Sequence, residues 1–185
     1  MASELRAIRR LAFQGLYELD ARAVESRGEL EASLASTAEE ASPELRAPKV
    51  ERAAELAWSA YEARRASDAL VGELAPEWPV HRRPAVDRAI LRLAVFEMTS
   101  GRVPVKVAVN EAVELAKRFS TDRSPAFVNG VLDRIMRSLR ERGEDGAEAG
   151  AVAGGDGAQS ATGDVGGHAG NGAREEAAGG EGGGR

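Results

Sequence analysis

The chain has 185 residues, no cysteine and a formal net charge of −5 at pH 7. Its length predicts one domain with a proper hydrophobic core. The lack of cysteine excludes disulfide bonds and thiolate metal sites. The two histidines, His81 and His168, stand alone, which disfavours a histidine-based metal site or catalytic dyad. No apolar segment is long enough to span a membrane, and the N-terminus does not resemble a signal sequence. We therefore expect a cytoplasmic protein without metal or cofactor.

The negative charge is concentrated in the C-terminal segment. Residues 1–140 contain 22 lysines and arginines against 21 acidic residues, whereas residues 141–185 contain three arginines against nine acidic residues. The same segment holds 16 of the 21 glycines and almost no large apolar side chain. Such a composition cannot bury enough surface to offset the entropy lost on ordering. We expect a folded domain over residues 1–140 and a disordered, acidic tail over residues 141–185.

The first half of the domain shows three helical patterns. Residues 4–24 carry an apolar stripe at helical spacing, and residues 29–41 form a weaker helix rich in alanine and glutamate. Two X-Pro steps then break the chain before a long helix over residues 49–74. The stripe of the first helix is Leu5, Ile8, Ala12, Leu16 and Leu19, and the core side of the long helix includes Val50, Ala54, Ala57, Trp58, Tyr61 and Ala69.

Three more helices follow with short connections. Prolines punctuate the preceding loop, which has room for one short turn, and we expect Trp78 to pack inward. The helix from Val86 to Thr99 is apolar on nearly every side yet too short to cross a bilayer, which is typical of the middle of a helical domain. The next helix starts at Pro104, and the last starts with Ser124 as N-cap and Pro125 at the first helical position.

The pattern predicts an all-α protein. The core faces of the last two helices are Val105, Ala108, Val109, Ala112, Ala116 and Phe119 in one, and Val128, Val131, Leu132, Ile135 and Leu139 in the other. No alternation typical of strands persists anywhere in the sequence. With no sheet to anchor the chain, we expect a compact bundle of about six or seven helices.

Catalytic motifs are missing from the sequence. There is no P-loop, no glycine-rich dinucleotide turn and no GxSxG motif. Glu111 and Glu114 lie near Lys117 and Arg118 on their helix, as ordinary surface ion pairs do. Glu97 lies within an apolar helix and is predicted to be a hydrogen-bonded structural carboxylate. We therefore expect a protein that is not an enzyme.

Arginines and aromatic residues alternate along one flank of the first helix. This flank carries Arg6, Arg10, Phe13 and Tyr17, with Arg9 nearer the core edge and Gln14 farther round. Such a pattern suits single-stranded nucleic acid, because arginine neutralises phosphate and aromatic rings stack on bases. Alternatively, the rings widen the core face and the arginines are merely solvated. Spacing alone leaves both interpretations open.

A second polar flank lies on the helix that starts at Pro104. It aligns Lys106, Asn110 and Lys117, and leaves Glu111, Glu114 and Arg118 on the other side. A lone asparagine such as Asn110 is usually just solvated. In the last helix, Phe127 lies at the rim of the apolar face, where it could stack on a base. Gly130 lies in mid-helix, where glycine costs about 1 kcal/mol relative to alanine, and predicts tight packing rather than an accessible backbone.

Four phrases in a fixed order carry a resemblance to a known family: RRLAFQGLYELD, AILRLAVFEM, VPVKVAVNEAVELAKRF and FVNGVLDRI. Together they cover most of residues 4–137. The chain resembles the NusB family of bacterial transcription antitermination factors, which are small all-helical proteins. The resemblance implies pairing with the ribosomal small-subunit protein NusE and binding of boxA RNA in nascent transcripts, notably of ribosomal RNA operons. It also implies entry into an antitermination complex on RNA polymerase.

The resemblance further implies roles for residues of the first helix. In the NusB family, the arginine-rich start of this helix binds RNA. Arg6 and Arg9 match family arginines of that segment. Arg10 replaces an acidic residue of one relative, and Leu5 and Ala7 replace arginines there. The basic cluster is thus thinner than in that relative.

Other positions follow from the same resemblance. Tyr17 and Asp87 match positions associated with the NusE contact. Arg123 falls in a loop close to RNA, and Phe127 matches the family phenylalanine that opens the last helix. The two helix flanks and the resemblance together give the predicted RNA-binding residues. These are Arg6, Arg9, Arg10, Gln14, Lys106, Asn110, Lys117, Arg123 and Phe127. A rival hypothesis is a helical scaffold that binds only protein, for instance a homodimer with its basic face covered.

Overall fold

The computed structural model describes residues 2–21, 26–41 and 47–143, which form seven α-helices and contain no strand. The predicted all-α fold is confirmed. The predicted tail lies outside the described residues from residue 144 onward. The helices are α1 (Ala2–Ala21), α2 (Arg27–Ala41), α3 (Ala47–Glu62), α4 (Arg64–Leu74), α5 (Ala85–Thr99), α6 (Val105–Phe119) and α7 (Ser124–Glu141).

Helix α5 is the centre of the bundle, as its apolar pattern predicts. It packs against α1, α3, α4, α6 and α7. Full burial of one large aliphatic side chain contributes roughly 1.5–3 kcal/mol, so this helix supplies a large part of the core energy. Its buried residues are Asp87, Ala89, Ile90, Leu91, Arg92, Leu93, Ala94, Val95, Glu97 and Met98.

The charged side chains buried in α5 are matched by neighbouring helices. Arg92 donates to Asp68 of α4 at 2.6 Å and to Asp20 of α1 at 2.7 Å, and Arg88 also donates to Asp20. Burial alone would lower the pKa of Arg92 and raise the pKa of Asp20, but the hydrogen bonds outweigh burial and shift both pKa values the other way. Because an unpaired buried charge is costly, this network fixes α1 and α4 relative to α5.

Close packing of α1 depends on a glycine that the sequence patterns did not single out. A Cβ at Gly15 would lie 3.0 Å from Leu34 Cδ1 of α2 and 3.2 Å from the Ala57 Cβ of α3. These distances are shorter than ordinary van der Waals contacts. Glycine therefore lets both helices approach α1 as closely as they do.

The predicted helix over residues 49–74 is divided at Ala63 into two helices, α3 and α4. The Ala63 N–H still donates to Ser59 O, but Arg64 Nη1 donates to Tyr61 O at 2.7 Å. The Arg64 guanidinium also lies 3.9 Å from the centre of the Tyr61 ring. These contacts of the Arg64 side chain accompany the break between α3 and α4.

Three residues predicted to lie in the core are exposed. Leu5 is in the first turns of α1 and borders a shallow groove instead. Ala69 lies on α4, after the break at Ala63, and Ser67 and Val71 are the buried residues of that helix. Trp78 is 48% exposed, so the prediction that it packs inward is wrong.

The loop between α4 and α5 is held in place by a buried arginine. It contains one 3-10 turn, Val80–Arg82, and then the buried Arg83. Arg83 Nε donates to Trp78 O at 2.7 Å, and Arg83 Nη1 lies 3.9 Å from Asp68 Oδ1. Burial lowers the pKa of Arg83. The buried arginine thus holds the loop while the indole of Trp78 remains outside.

Helix α7 buries all five of its predicted core residues but differs from prediction at two points. Its first residue is Ser124, whose hydroxyl does not cap the helix and donates to Asp87 Oδ2 at 3.0 Å. Gly130 is exposed, and a Cβ there would meet nothing within 4 Å. The predicted tight packing at Gly130 is therefore wrong, because this face of α7 points to solvent.

Candidate nucleic-acid interface

A groove of about 580 Å³ runs between the N-terminal half of α1 and α6. Five of its side chains are cations and two are carboxylates, so the groove is positively charged overall. The fold brings together residues such as Arg6 and Glu111, which are 105 positions apart in the chain. The lining residues are Ser3, Arg6, Ala7, Arg9, Arg10, Glu111, Glu114, Leu115, Lys117 and Arg118. We call this feature the basic groove.

Exposed cations of the basic groove pair with its carboxylates. Arg6 Nε donates to Glu111 Oε1 at 2.9 Å, and Lys117 Nζ donates to Glu114 Oε1 at 2.6 Å. The hydrogen bond to Glu111 raises the pKa of Arg6, whose side chain is 67% exposed, so it remains a cation. Surface ion pairs contribute about 0–1 kcal/mol. A phosphate group can therefore replace either carboxylate at little cost.

Arg9 lies at the floor of the basic groove rather than on its surface. Its side chain is 8% exposed, and its Nε donates to both carboxylate oxygens of Glu97 at 2.9 Å. It also lies 3.5 Å from Glu111 Oε2. This burial disfavours the predicted phosphate contact of Arg9, and its ion pairs join α1 to α5 and α6. Glu97 is the hydrogen-bonded structural carboxylate that we predicted.

An apolar hollow of about 340 Å³ follows the basic groove along α1. Phe13 is buried there, with its ring centre 5.1 Å from that of Phe119, so it widens the core and is not a stacking platform. Tyr17 is 38% exposed and Gln14 is half-buried, and both remain accessible. We call this feature the apolar hollow; its lining residues are Phe13, Gln14, Tyr17, Glu18, Thr37, Val86 and Phe119.

Asp87 is buried and binds the loop that connects α6 to α7. It accepts hydrogen bonds from Ser120 Oγ at 2.7 Å and from Ser124 Oγ at 3.0 Å. Asp87 is 3% exposed, so its predicted association with the NusE contact stays a prediction that requires an indirect role. Sequence inspection missed Ser120 and assigned Ser124 to helix capping; the signal for their shared role is their spacing on either side of a short loop.

On α6, Lys117 lies with Glu111, Glu114 and Arg118 and not, as was predicted, with Lys106 and Asn110. Glu111, Glu114 and Arg118 share one face because residues spaced three and four apart lie together on a helix. This face borders the basic groove, and Lys117 joins it from the edge. Lys106 and Asn110 are exposed on α6 but do not line the basic groove.

Arg123 and Phe127 lie where α6 turns into α7, outside the lining of the basic groove. Arg123 is exposed, and the Phe127 N–H donates to its carbonyl oxygen. Phe127 is half-buried, and its ring centre lies 5.0 Å from that of Trp78, at an interplanar angle of 52°. Trp78 was missed as a surface residue because its pattern in the sequence resembles that of a core aromatic residue.

Residues 2–21, 26–41 and 47–143 contain neither a candidate metal site nor a candidate membrane span. No group of three or more histidine, aspartate or glutamate side chains there is placed to hold a metal ion. In the same part of the chain, no helix has both the length and the apolar character needed to cross a membrane.

Comparison with known proteins identifies the family. The model of the NusB family matches residues 6–137. The chain belongs to the NusB family. The transcription antitermination protein NusB of Roseiflexus sp. (strain RS-1) is 41% identical over 146 residues, which cover 77% of this chain and 98% of that protein. NusB of Symbiobacterium thermophilum is 41% identical over 138 residues, which cover 73% and 90%.

Solved structures of the NusB family share the fold. T. maritima NusB is 32% identical, with a TM-score of 0.60 over 71% of this chain and 89% of that chain. A structure of the antitermination factors NusB and NusE in complex with double-stranded RNA matches at 26% identity, with a TM-score of 0.62 over 75% of this chain and 99% of that chain. The predicted family is confirmed.

Proposed function

We propose that this protein is a non-catalytic transcription antitermination factor that binds RNA in the basic groove and pairs with NusE. The observation that carries the proposal is the groove itself, which gathers cations from α1 and α6 on one surface. A family structure that contains both NusE and double-stranded RNA supports it. The proposed RNA is of the boxA type in nascent transcripts, notably of ribosomal RNA operons. The protein would then act in the cytoplasm, within an antitermination complex on RNA polymerase.

Phosphate groups enter the basic groove by exchange. Arg6 and Lys117 leave their carboxylate partners for phosphate oxygens, and Arg10 and Arg118 add charge from the two walls. Arg9 acts from beneath, because its ion pair with Glu97 keeps α1 in place. Binding of this kind releases counterions and weakens as salt concentration rises.

NusE is proposed to dock on the apolar hollow. Tyr17 offers an exposed ring at its edge, and Gln14 offers an amide beside it. Asp87 contributes indirectly by holding the loop between α6 and α7. Replacement of Tyr17 by alanine should weaken NusE binding and leave RNA binding in the absence of NusE unchanged.

Titration of a fluorescently labelled boxA-type RNA tests the proposal, with and without NusE and at several salt concentrations. The R6A/R10A/K117A variant should bind more weakly, and its log–log salt slope should fall by about 0.7 for each lost phosphate contact. Arg9 is left unchanged because its replacement would disturb the fold.

The matched control is R27A/R65A/R137A, which removes three exposed arginines that do not line the basic groove. It loses the same charge and should retain most of the affinity. Equal loss in both triple variants would show that net charge, and not the basic groove, governs binding. Single-stranded and duplex forms of the RNA should be compared in parallel, since the solved family complex contains double-stranded RNA.

The rival hypothesis of a protein-only scaffold predicts a different outcome. A homodimer with its basic face covered would scatter light as a dimer and would bind no RNA with or without NusE. The apolar hollow is consistent with this rival hypothesis. An apolar surface of this kind can bind a second copy of the chain as readily as it binds NusE. Light scattering of the protein alone and with NusE distinguishes the two.

A further inference from the structure

The loop between α4 and α5 presents an exposed aromatic pair, Trp78 and Phe127. At 48%, Trp78 has the largest exposed fraction among the large hydrophobic side chains that the structure describes. Its ring packs against Phe127 at 5.0 Å between centres, and about half of the residue's surface remains exposed to water. An exposed indole is unfavourable in isolation and commonly marks a contact surface.

The backbone on both sides of Trp78 is held in place. The Trp78 N–H donates to Ala75 O at 3.0 Å, and Trp78 O accepts from the buried Arg83 at 2.7 Å. On α7, Arg134 donates to Leu74 O at 3.0 Å and pairs with Glu77 at 2.8 Å. The indole is thus pre-positioned, and a ligand that stacks on it does not have to order the loop first.

The neighbourhood of the aromatic pair is polar and charged rather than apolar, and it includes two exposed arginines. Arg82 follows Trp78 by four residues, and Arg123 precedes Phe127 by one helical turn; both are exposed. The other large hydrophobic side chains described as exposed lie on α1 and α6. A protein-binding site has an apolar centre with a polar rim. An isolated ring pair flanked by arginines instead suits a nucleobase whose phosphates meet the cations.

We propose that Trp78 and Phe127 form a stacking site for one unpaired nucleobase, with Arg82 and Arg123 positioned for the flanking phosphates. The inference rests on the proposed RNA-binding function and adds to the basic groove a site for a base rather than for the backbone. It assigns a function to Trp78, and it makes a base outside a duplex the preferred ligand of this surface.

Fluorescence tests the stacking site directly, because the chain has two tryptophans. Trp58 lies on α3 beside Tyr61, half-buried, so W58F leaves Trp78 as the sole indole reporter. The full-length W58F protein is titrated with a labelled single-stranded boxA-type RNA, and RNA anisotropy and tryptophan emission are followed together. We expect emission to be quenched in step with binding, and to be quenched less by a fully paired duplex of the same sequence.

Binding by W78A is measured in the same way, with W58F as the matched control. We expect W78A to bind single-stranded RNA about 10-fold more weakly, since stacking of one base is worth that much, and W78F to recover most of the loss. Circular dichroism should show that W78A is folded at the titration temperature, with a modestly lower melting temperature because the contact with Phe127 is lost.

The outcomes separate this inference from the proposed function. If the wild-type protein binds no RNA, the proposed function fails. If RNA binds normally but emission is unchanged and W78A keeps full affinity, the stacking site is wrong and the basic groove stands. Equal quenching by duplex and single strand would also overturn the stacking site. Loss of NusE binding in W78A with RNA affinity intact would assign Trp78 to a protein interface instead.

Discussion

Arg6 and Arg9 are one helical turn apart on α1, yet Arg6 is exposed and Arg9 is buried against Glu97. R9A leaves the Glu97 carboxylate buried without its partner, which costs about 3–5 kcal/mol for such pairs. We therefore expect a large drop in the urea midpoint of R9A and a small one for R6A. Equilibrium urea denaturation followed by circular dichroism measures both.

A double variant separates loss of the ion pair from loss of packing. R9M/E97L replaces both charges with apolar side chains, which is often close to neutral for buried pairs. It should recover most of the stability that R9A loses. If R9A unfolds at the wild-type urea concentration, Arg9 is not the structural residue described above.

Asp87 makes a second residue-scale prediction. D87A removes the acceptor but leaves the Ser120 and Ser124 hydroxyls 2.9 Å apart, where they still bond to each other. S120A/S124A instead removes two hydroxyl donors from a buried carboxylate, and an unsatisfied buried charge costs more than a lost neutral bond. We expect S120A/S124A to be the less stable variant in urea denaturation. The reverse order would mean that the carboxylate has other, stronger partners.

At the scale of helices, two glycines predict opposite effects of the same substitution. G130A should stabilise the protein by about 0.5–1 kcal/mol, because alanine favours a helix and its Cβ meets nothing within 4 Å. G15A should destabilise it, because the added Cβ would press on Leu34 and Ala57. Thermal melting of the pair checks this. A destabilised G130A would indicate that another surface covers this face of α7.

The network that joins α1, α4 and α5 predicts an acid sensitivity. Hydrogen bonds from Arg92 and Arg88 outweigh burial and hold the pKa of Asp20 below its ordinary value of 3.8. A lowered carboxyl pKa contributes stability that is present above that ordinary value and lost as the pH falls through the lowered pKa. The free energy of unfolding of the wild type should therefore fall more steeply below about pH 4 than that of D20N.

Urea denaturation at a series of pH values between neutrality and strong acid measures this slope. D20N should be less stable than the wild type at neutral pH, and the two curves should converge in acid. E51Q, which alters an exposed glutamate of α3, serves as the control and should follow the wild type. Parallel curves for D20N and wild type would show that Asp20 does not titrate differently on folding.

For the whole molecule, the periodicity of the sequence predicts the helices but not the specific side-chain contacts between and within them. The spacing of apolar residues located the helical stretches within a few residues but merged α3 and α4 into one. It succeeds because helix formation and burial of one face are local and repetitive. The same spacing placed Arg9 and Arg6 on adjacent flanks, but the burial of Arg9 depends on Glu97 from a distant helix. The break at Ala63 and the exposure of Trp78 were missed for another reason. They involve local hydrogen bonds from arginine side chains to the backbone, Arg64 to Tyr61 O and Arg83 to Trp78 O, which the spacing of apolar residues does not register.

The acidic C-terminal segment carries the last prediction. Residues 144–185 contain eight acidic residues against two arginines, a charge opposite to that of the basic groove. The described structure reaches Gly143, and Arg142 still bonds to Ser138 at 2.9 Å and lies 3.4 Å from Glu73. A variant that ends at Gly143 keeps these contacts and loses a segment that is nearly free of large apolar side chains.

We expect this shortened protein to melt at the wild-type temperature and to bind RNA as tightly as the full chain. At low salt it should bind slightly more tightly, because an acidic segment competes with RNA for the same cations and salt screens that competition. Calorimetry and RNA titration at two salt concentrations, with the full chain as reference, measure both effects. A lower melting temperature or weaker RNA binding after truncation would mean that residues 144–185 contribute contacts that their composition does not predict.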